Sequence, residues 1–133
     1  MYLEHDSSKL IYRNPKGALK TNSKLCLHLL VGSDAIPELV ECIIGENRIK
    51  MAYSYEINSA RMYECNIEMP EISGVLFYCF RVIADGREIV CANNDLRLGG
   101  QGKMYDAFPD SLFQITVYDE SYKTPDWMKN AVV

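Results

Sequence analysis

The sequence predicts an all-β protein, a β-sandwich, and three observations carry the prediction. Apolar residues alternate with polar ones at period two along several short runs. Turn residues break these runs at fairly regular intervals, and no stretch shows helical periodicity. The chain of 133 residues, 48% hydrophobic and 24% charged, is long enough to bury one core and too apolar in pattern to be disordered.

The runs follow in order. Leu25, Leu27, Leu29 and Val31 alternate with Cys26, His28 and Leu30, a strand apolar on nearly both faces. Leu39 to Ile44 is rich in β-branched residues and stops at Gly45, and Ile49 to Tyr55 reads as a third strand. Tyr63, Cys65, Ile67 and Met69 alternate with Glu64, Asn66 and Glu68, so one face is buried and the other wet, up to Pro70. Val75 to Ala84 is the strongest strand. Asp85-Gly86 supplies a two-residue turn that returns it as Arg87 to Ala92. Asn93 to Asp110 reads as a long loop, Leu112 to Tyr118 as the last strand, and 119–133, with Pro125, as a linker following a sandwich of residues 1–118.

Charge and composition narrow the function classes. The net charge of −4 comes with scattered Lys and Arg and no basic stripe, which argues against nucleic acid as a partner. No apolar run reaches the roughly 20 residues of a membrane helix, and the N-terminus lacks the pattern of a signal peptide, so no membrane partner is expected. Cys26, Cys42, Cys65, Cys79 and Cys91 form no CxxC pair and sit in apolar runs. They read as reduced core residues, which favours a cytoplasmic protein.

Catalytic and metal motifs fail on spacing. Gly99-Gly100-Gln101-Gly102-Lys103 lacks the phosphate-loop pattern and reads as a mobile turn. Glu64 and Glu68 read as the solvated face of their strand rather than as a glycosidase pair. His28 lies mid-strand and His5 near a frayed terminus, with no partners at visible ligand spacing, so no metal or cofactor is expected. Aromatic rings remain as binding candidates. Tyr53 and Tyr55 are two residues apart and should share a strand face at about 7 Å. Phe77 should point away from Tyr78 and Phe80, and Tyr105 lies in the long loop.

The C-terminal third adds a resemblance. Asn93-Asn94-Asp95, Leu98-Gly99-Gly100-Gln101-Gly102, Phe113-Gln114-Ile115-Thr116-Val117-Tyr118-Asp119, Thr124-Pro125-Asp126-Trp127 and Lys129-Asn130-Ala131-Val132-Val133 follow one another. This series resembles the junction between the N-terminal β-domain and the catalytic barrel of neopullulanases, cyclomaltodextrinases and amylopullulanases. The match is tight over Leu112 to Val133. It is looser at Ile11-Tyr12-Arg13, at Leu25 to Leu29, at Arg61 to Ile67, where Met62 replaces the family's Tyr, and at Leu76 to Phe80.

The resemblance implies an immunoglobulin-like antiparallel β-sandwich of about seven to eight strands, of the starch-binding module type known as carbohydrate-binding family thirty-four. It implies a parent glycoside hydrolase of the α-amylase superfamily, with its catalytic carboxylates beyond Val133 and none in this chain. The expected partners are α-glucan or malto-oligosaccharide, held weakly by Tyr53, Tyr55, Phe77 and Tyr105, the barrel of the same chain, and a second copy of the parent. The alternative expectation is a structural or dimerisation domain without sugar binding; Trp127 would anchor the linker on the barrel.

Overall fold

A computed structural model describes residues 1–96 and 99–119. Among them there is no helix, and twelve strands follow in order: β1 (Tyr2–Glu4), β2 (Arg13–Asn14), β3 (Leu19–Lys20), β4 (Lys24–Gly32), β5 (Leu39–Ile44), β6 (Asn47–Lys50), β7 (Ala52–Ile57), β8 (Ala60–Glu68), β9 (Gly74–Ala84), β10 (Arg87–Ala92), β11 (Lys103–Tyr105) and β12 (Phe113–Tyr118). The count exceeds the seven or eight long runs of the sequence because β1, β2, β3, β6 and β11 are only two to four residues long. Segments that short carry too few alternations to show a period. Apart from Asp119, the expected linker, with Trp127, lies outside the described residues.

Two sheets form. In the first, β4 pairs with β8 and β8 with β7, while β1 and β2 both pair with β4. In the second, β9 is central. Tyr78 pairs with Ile44 of β5 and with Phe113 of β12, and Phe80 with Cys42 of β5 and Cys91 of β10. One edge of β9 therefore carries β5, and the other carries β10 and β12 end to end. All pairs are antiparallel except β12 with β3.

The core lies between the sheets and follows the alternation. Leu25, Leu27, Leu29 and Val31 of β4 and Tyr63, Cys65 and Ile67 of β8 meet Val40, Cys42 and Ile44 of β5, Tyr78, Phe80 and Val82 of β9, and Phe113, Ile115 and Val117 of β12. Full burial of one large apolar side chain contributes about 1.5–3 kcal/mol, so this double layer dominates stability. The Asp85-Gly86 turn forms as its residues require: both have positive φ, 52° and 72°, the geometry of a primed turn.

Three expectations change. The run Ile49 to Tyr55 is not one strand. Residues of β6 pair with β5 in the second sheet, Met51 is buried at the crossing, and β7 pairs with β8 in the first sheet. An apolar run shows burial but not which sheet buries it. The segment Asn93 to Asp110 contains β11, which pairs with β10. His5 is not at a frayed end: β1 pins it, and its side chain is wholly buried.

Candidate functional site

A cleft of about 560 Å³ opens where β10 ends and β12 begins, along one edge of β9. Phe77, Ser7, Asn93, Asp110, Leu112 and Gln114 line it. Strand alternation sets its aromatic wall. Tyr78 and Phe80 point into the core with no exposure, so Phe77 projects outward, 48% exposed, as expected. Gln114 is its cross-strand partner and also faces outward.

The floor is held by the loop after β10. Asn93 is buried, and its Oδ1 accepts from the backbone N–H of Asn94 (2.9 Å) and of Gly99 (3.1 Å). Its carbonyl accepts from the Tyr105 hydroxyl at 2.6 Å. That hydroxyl also lies 3.1 Å from Asp95 Oδ1 and 3.2 Å from the Ser111 hydroxyl. Lys103 Nζ sits 5.5 Å from the centre of the Tyr105 ring and 2.7 Å from Asp95 Oδ2. Tyr105 is thus on β11 rather than in a free loop, and it joins β11 to the cleft floor. Gly99 and Gly100, both at positive φ, bring the chain back onto Ser7, whose Oγ accepts from the Gly100 N–H at 3.0 Å.

Tyr53 and Tyr55 stand on the other sheet, at the edge strand β7, and do not join Phe77. Nor do they share a face. Tyr53 pairs with Tyr63 and Tyr55 with Met62, so Ser54 is an extra residue in a bulge. Tyr63 and Met62 are neighbours on β8 and point to opposite sides. Tyr53, 55% exposed, sits edge-on against the core residue Tyr63, with ring centres 5.9 Å apart. Tyr55, 39% exposed, lies on the outer side with Met62, Leu30 and Tyr12. Burial, then the nearby Glu4 carboxylate, pushes the Tyr12 phenol up to about 12. The expectation that the two rings project to one side about 7 Å apart is corrected by one bulged residue.

A second cluster escaped the sequence reading. On the outer face of the first sheet, His28 Nε2 lies 3.2 Å from Glu64 Oε2, and its Nδ1 lies 3.7 Å from Cys26 Sγ. Ligand atoms of these three residues fall within 4.8 Å of one another. The spacing Cys26-x-His28 was legible, but Glu64 enters only through the β4–β8 register. The five cysteines are free, and all but Cys26 are buried. Burial pushes the Cys79 thiol up to about 11 and Cys91 to about 12, as expected of core thiols.

No family model matches the chain. The fold and its comparison with other proteins define a class: an all-β sandwich that corresponds to a small part of much longer polypeptides. Those polypeptides are amylopullulanases. The chain is 32% identical over 142 residues to one from Thermoanaerobacterium thermosulfurigenes, covering 98% of this chain and 7% of that protein. It is 29% identical over 140 residues to one from Thermoanaerobacter thermohydrosulfuricus, covering 98% and 9%. Among solved structures it superposes on a cyclomaltodextrinase with a TM-score of 0.59 and 14% identity, covering 96% of this chain and 21% of that one. On the type III pullulan hydrolase of Thermococcus kodakarensis the TM-score is 0.54 at 15% identity, covering 79% and 16%. The structural likeness concerns the fold alone.

Proposed function

We propose that this chain is an accessory domain of an α-glucan-degrading enzyme of the α-amylase superfamily, working beside a catalytic domain of the same polypeptide. One observation carries the proposal: nearly all of the chain aligns with a stretch of the amylopullulanases that makes up about a tenth or less of their length. The chain's own chemistry agrees. Glu64 is taken up by His28, and Glu68 is exposed two residues beyond Asn66 on the same outer face; among the described residues no acid and nucleophile face each other across a cleft. The purified chain is expected to release no reducing sugar from starch or pullulan. Release that disappears in Glu64→Gln or Glu68→Gln would overturn the accessory reading.

The finer proposal is weak α-glucan binding at the Phe77 cleft. A half-exposed flat ring suits the apolar face of a glucose unit, and Gln114, Asp110 and Ser7 add polar groups of the kind that orient hydroxyls. The rim is open and shallow, so the dissociation constant should be no tighter than roughly 0.1–1 mM. Titration of maltoheptaose into isotope-labelled protein tests it. Amide shifts should centre on Phe77, Gln114 and Asn93 and vanish in a folded Phe77→Ala variant. Absence of shifts at about 10 mM sugar, ten times the weakest constant above, would instead favour a domain that only packs against the barrel or a second parent subunit.

A further inference from the structure

We propose that Cys26, His28 and Glu64 form a binding site for one divalent transition-metal ion of the zinc class on the outer face of the first sheet. The strand geometry builds the site. Cys26 and His28 are two residues apart on β4 and so share its outer side, and Glu64 lies directly opposite His28 on β8. The ladder is continuous from Lys24 to Val31, so the three Cα positions are fixed relative to one another. The backbone of His28 is held twice more. Its N–H donates to the Tyr12 carbonyl at 2.8 Å, and its carbonyl lies 2.8 Å from His5 Nδ1.

The spacing suits a small tetrahedral ion. Bonds of about 2.0–2.3 Å to sulfur, nitrogen and oxygen at tetrahedral angles put neighbouring ligand atoms about 3.3–3.6 Å apart. The two His28 contacts run through different ring nitrogens, Nε2 to Glu64 at 3.2 Å and Nδ1 to Cys26 at 3.7 Å, and with one ligand atom taken from each residue the three lie within 4.8 Å of one another. One ring nitrogen serves the ion, so a small rotation of the imidazole and the Glu64 side chain completes the set. All three residues are partly exposed, which leaves solvent access and an open coordination position for water.

The donor set selects the ion. A thiolate beside an imidazole excludes magnesium and calcium, which take oxygen ligands, and favours zinc or cobalt. Burial and the Glu64 carboxylate raise the thiol's pKa. Binding therefore forms a metal–sulfur bond and sends the thiol proton to solvent. The site would staple β4 to β8 at the middle of the sheet.

Cobalt(II) titration of the tag-free chain under reducing conditions decides the matter. The expected result is one equivalent bound at micromolar concentrations. A thiolate-to-cobalt charge-transfer band and the intense visible bands of a tetrahedral ion should appear, both displaced by zinc. Cys26→Ser should abolish the charge-transfer band. His28→Ala and Glu64→Gln should each weaken binding by at least the roughly 10–100-fold typical of lost outer-shell partners. Glu64 is half-exposed, so Glu64→Gln is expected to fold normally and keeps the test valid if His28→Ala does not. Binding weaker than about 100 µM, or a spectrum unchanged in Cys26→Ser, would overturn the proposal; 100 µM corresponds to no more than about 5.5 kcal/mol.

Discussion

His5 Nε2 lies 3.0 Å from the hydroxyl of Tyr78, and its Nδ1 lies 2.8 Å from the carbonyl of His28, so one imidazole joins both sheets at the centre of the core. The carbonyl can only accept, which assigns the proton to Nδ1 and leaves Nε2 to accept from the phenol. The ring is neutral there: burial, helped by the Arg13 charge and opposed by the His28 carbonyl, lowers its pKa from 6.5 to about 4.

Acid should therefore loosen the fold in a defined window. With the folded pKa below the unfolded one, the unfolded chain binds the proton first. The neutral ring's contribution is complete above pH 6.5 and is lost as pH falls towards 4. At 1.36 kcal/mol per unit, the loss across that window is about 3 kcal/mol. Urea midpoints at pH 7 and pH 4.5 measure it, and His5→Gln, which cannot titrate, should lose far less between them. Equal losses in both proteins would show that other groups carry the acid sensitivity.

The same residue marks where sequence reading reaches its limit. Period two correctly placed the cores of β4, β8, β9 and β12, because each has three or more alternations across one buried face. Phe77 was legible for that reason. His5 was not, because the three-residue strand before it has too few alternations to show, and its ring is buried by Tyr12, Tyr78, Phe80 and Phe113, the last three far along the chain. Tyr53 and Tyr55 fail differently: a bulge is a feature of pairing, and Ser54 alone carries no mark of it. The Cys26, His28 and Glu64 cluster is again a matter of register, half visible as two residues on one strand face.

Gly102 should resist substitution although it was read as part of a mobile turn. A Cβ there would stand 2.6 Å from Phe113 Cζ, 2.9 Å from the Ala92 carbonyl oxygen and 3.2 Å from Cys91 Sγ. The Gly102 N–H also donates to the His5 carbonyl at 2.8 Å, so the segment cannot simply move away. Overpacking of this kind costs about 1–3 kcal/mol. Gly102→Ala should lower the thermal midpoint, whereas Gly45→Ala, whose Cβ meets nothing within 4 Å, should suffer only from its positive φ of 57°. A Gly102→Ala protein as stable as the parent would contradict the close approach.

The bulge at Ser54 makes a prediction by double-mutant cycle. Tyr53 and Tyr55 point to opposite sides of β7, so their losses should add within about 0.5 kcal/mol. Tyr53→Ala should cost about 0.5–1.5 kcal/mol through its edge contact with Tyr63. Neither change should alter the maltoheptaose binding proposed for the Phe77 cleft, which lies on the other sheet. A coupling energy well above 0.5 kcal/mol would place the two rings together after all.

Arg13 carries the last prediction. It is a buried cation on β2 of the first sheet, and its guanidinium donates to the carbonyl of Gln114 on β12 at 3.0 Å and of Gly17 at 2.9 Å. Its Cζ lies 5.9 Å from the centre of the Tyr78 ring, and its Nε, among the described residues, is buried without a hydrogen-bond partner. Arginine fits because a planar fork spans two carbonyls, which an ammonium cannot. Arg13→Lys keeps the buried charge but satisfies fewer acceptors. Arg13→Met removes the charge and leaves both carbonyls unpaired, at about 1–3 kcal/mol each. Both should destabilise, with lysine the worse because an unpaired buried charge costs more than an unpaired carbonyl. A second readout separates charge from packing. The Arg13 cation helps hold the His5 pKa down, so in Arg13→Met that pKa should rise towards 6.5, and the acid-sensitive window should narrow from its lower end. Titration of the His5 ring by NMR in the two variants measures this directly. An unmoved pKa in Arg13→Met would mean that burial alone sets it.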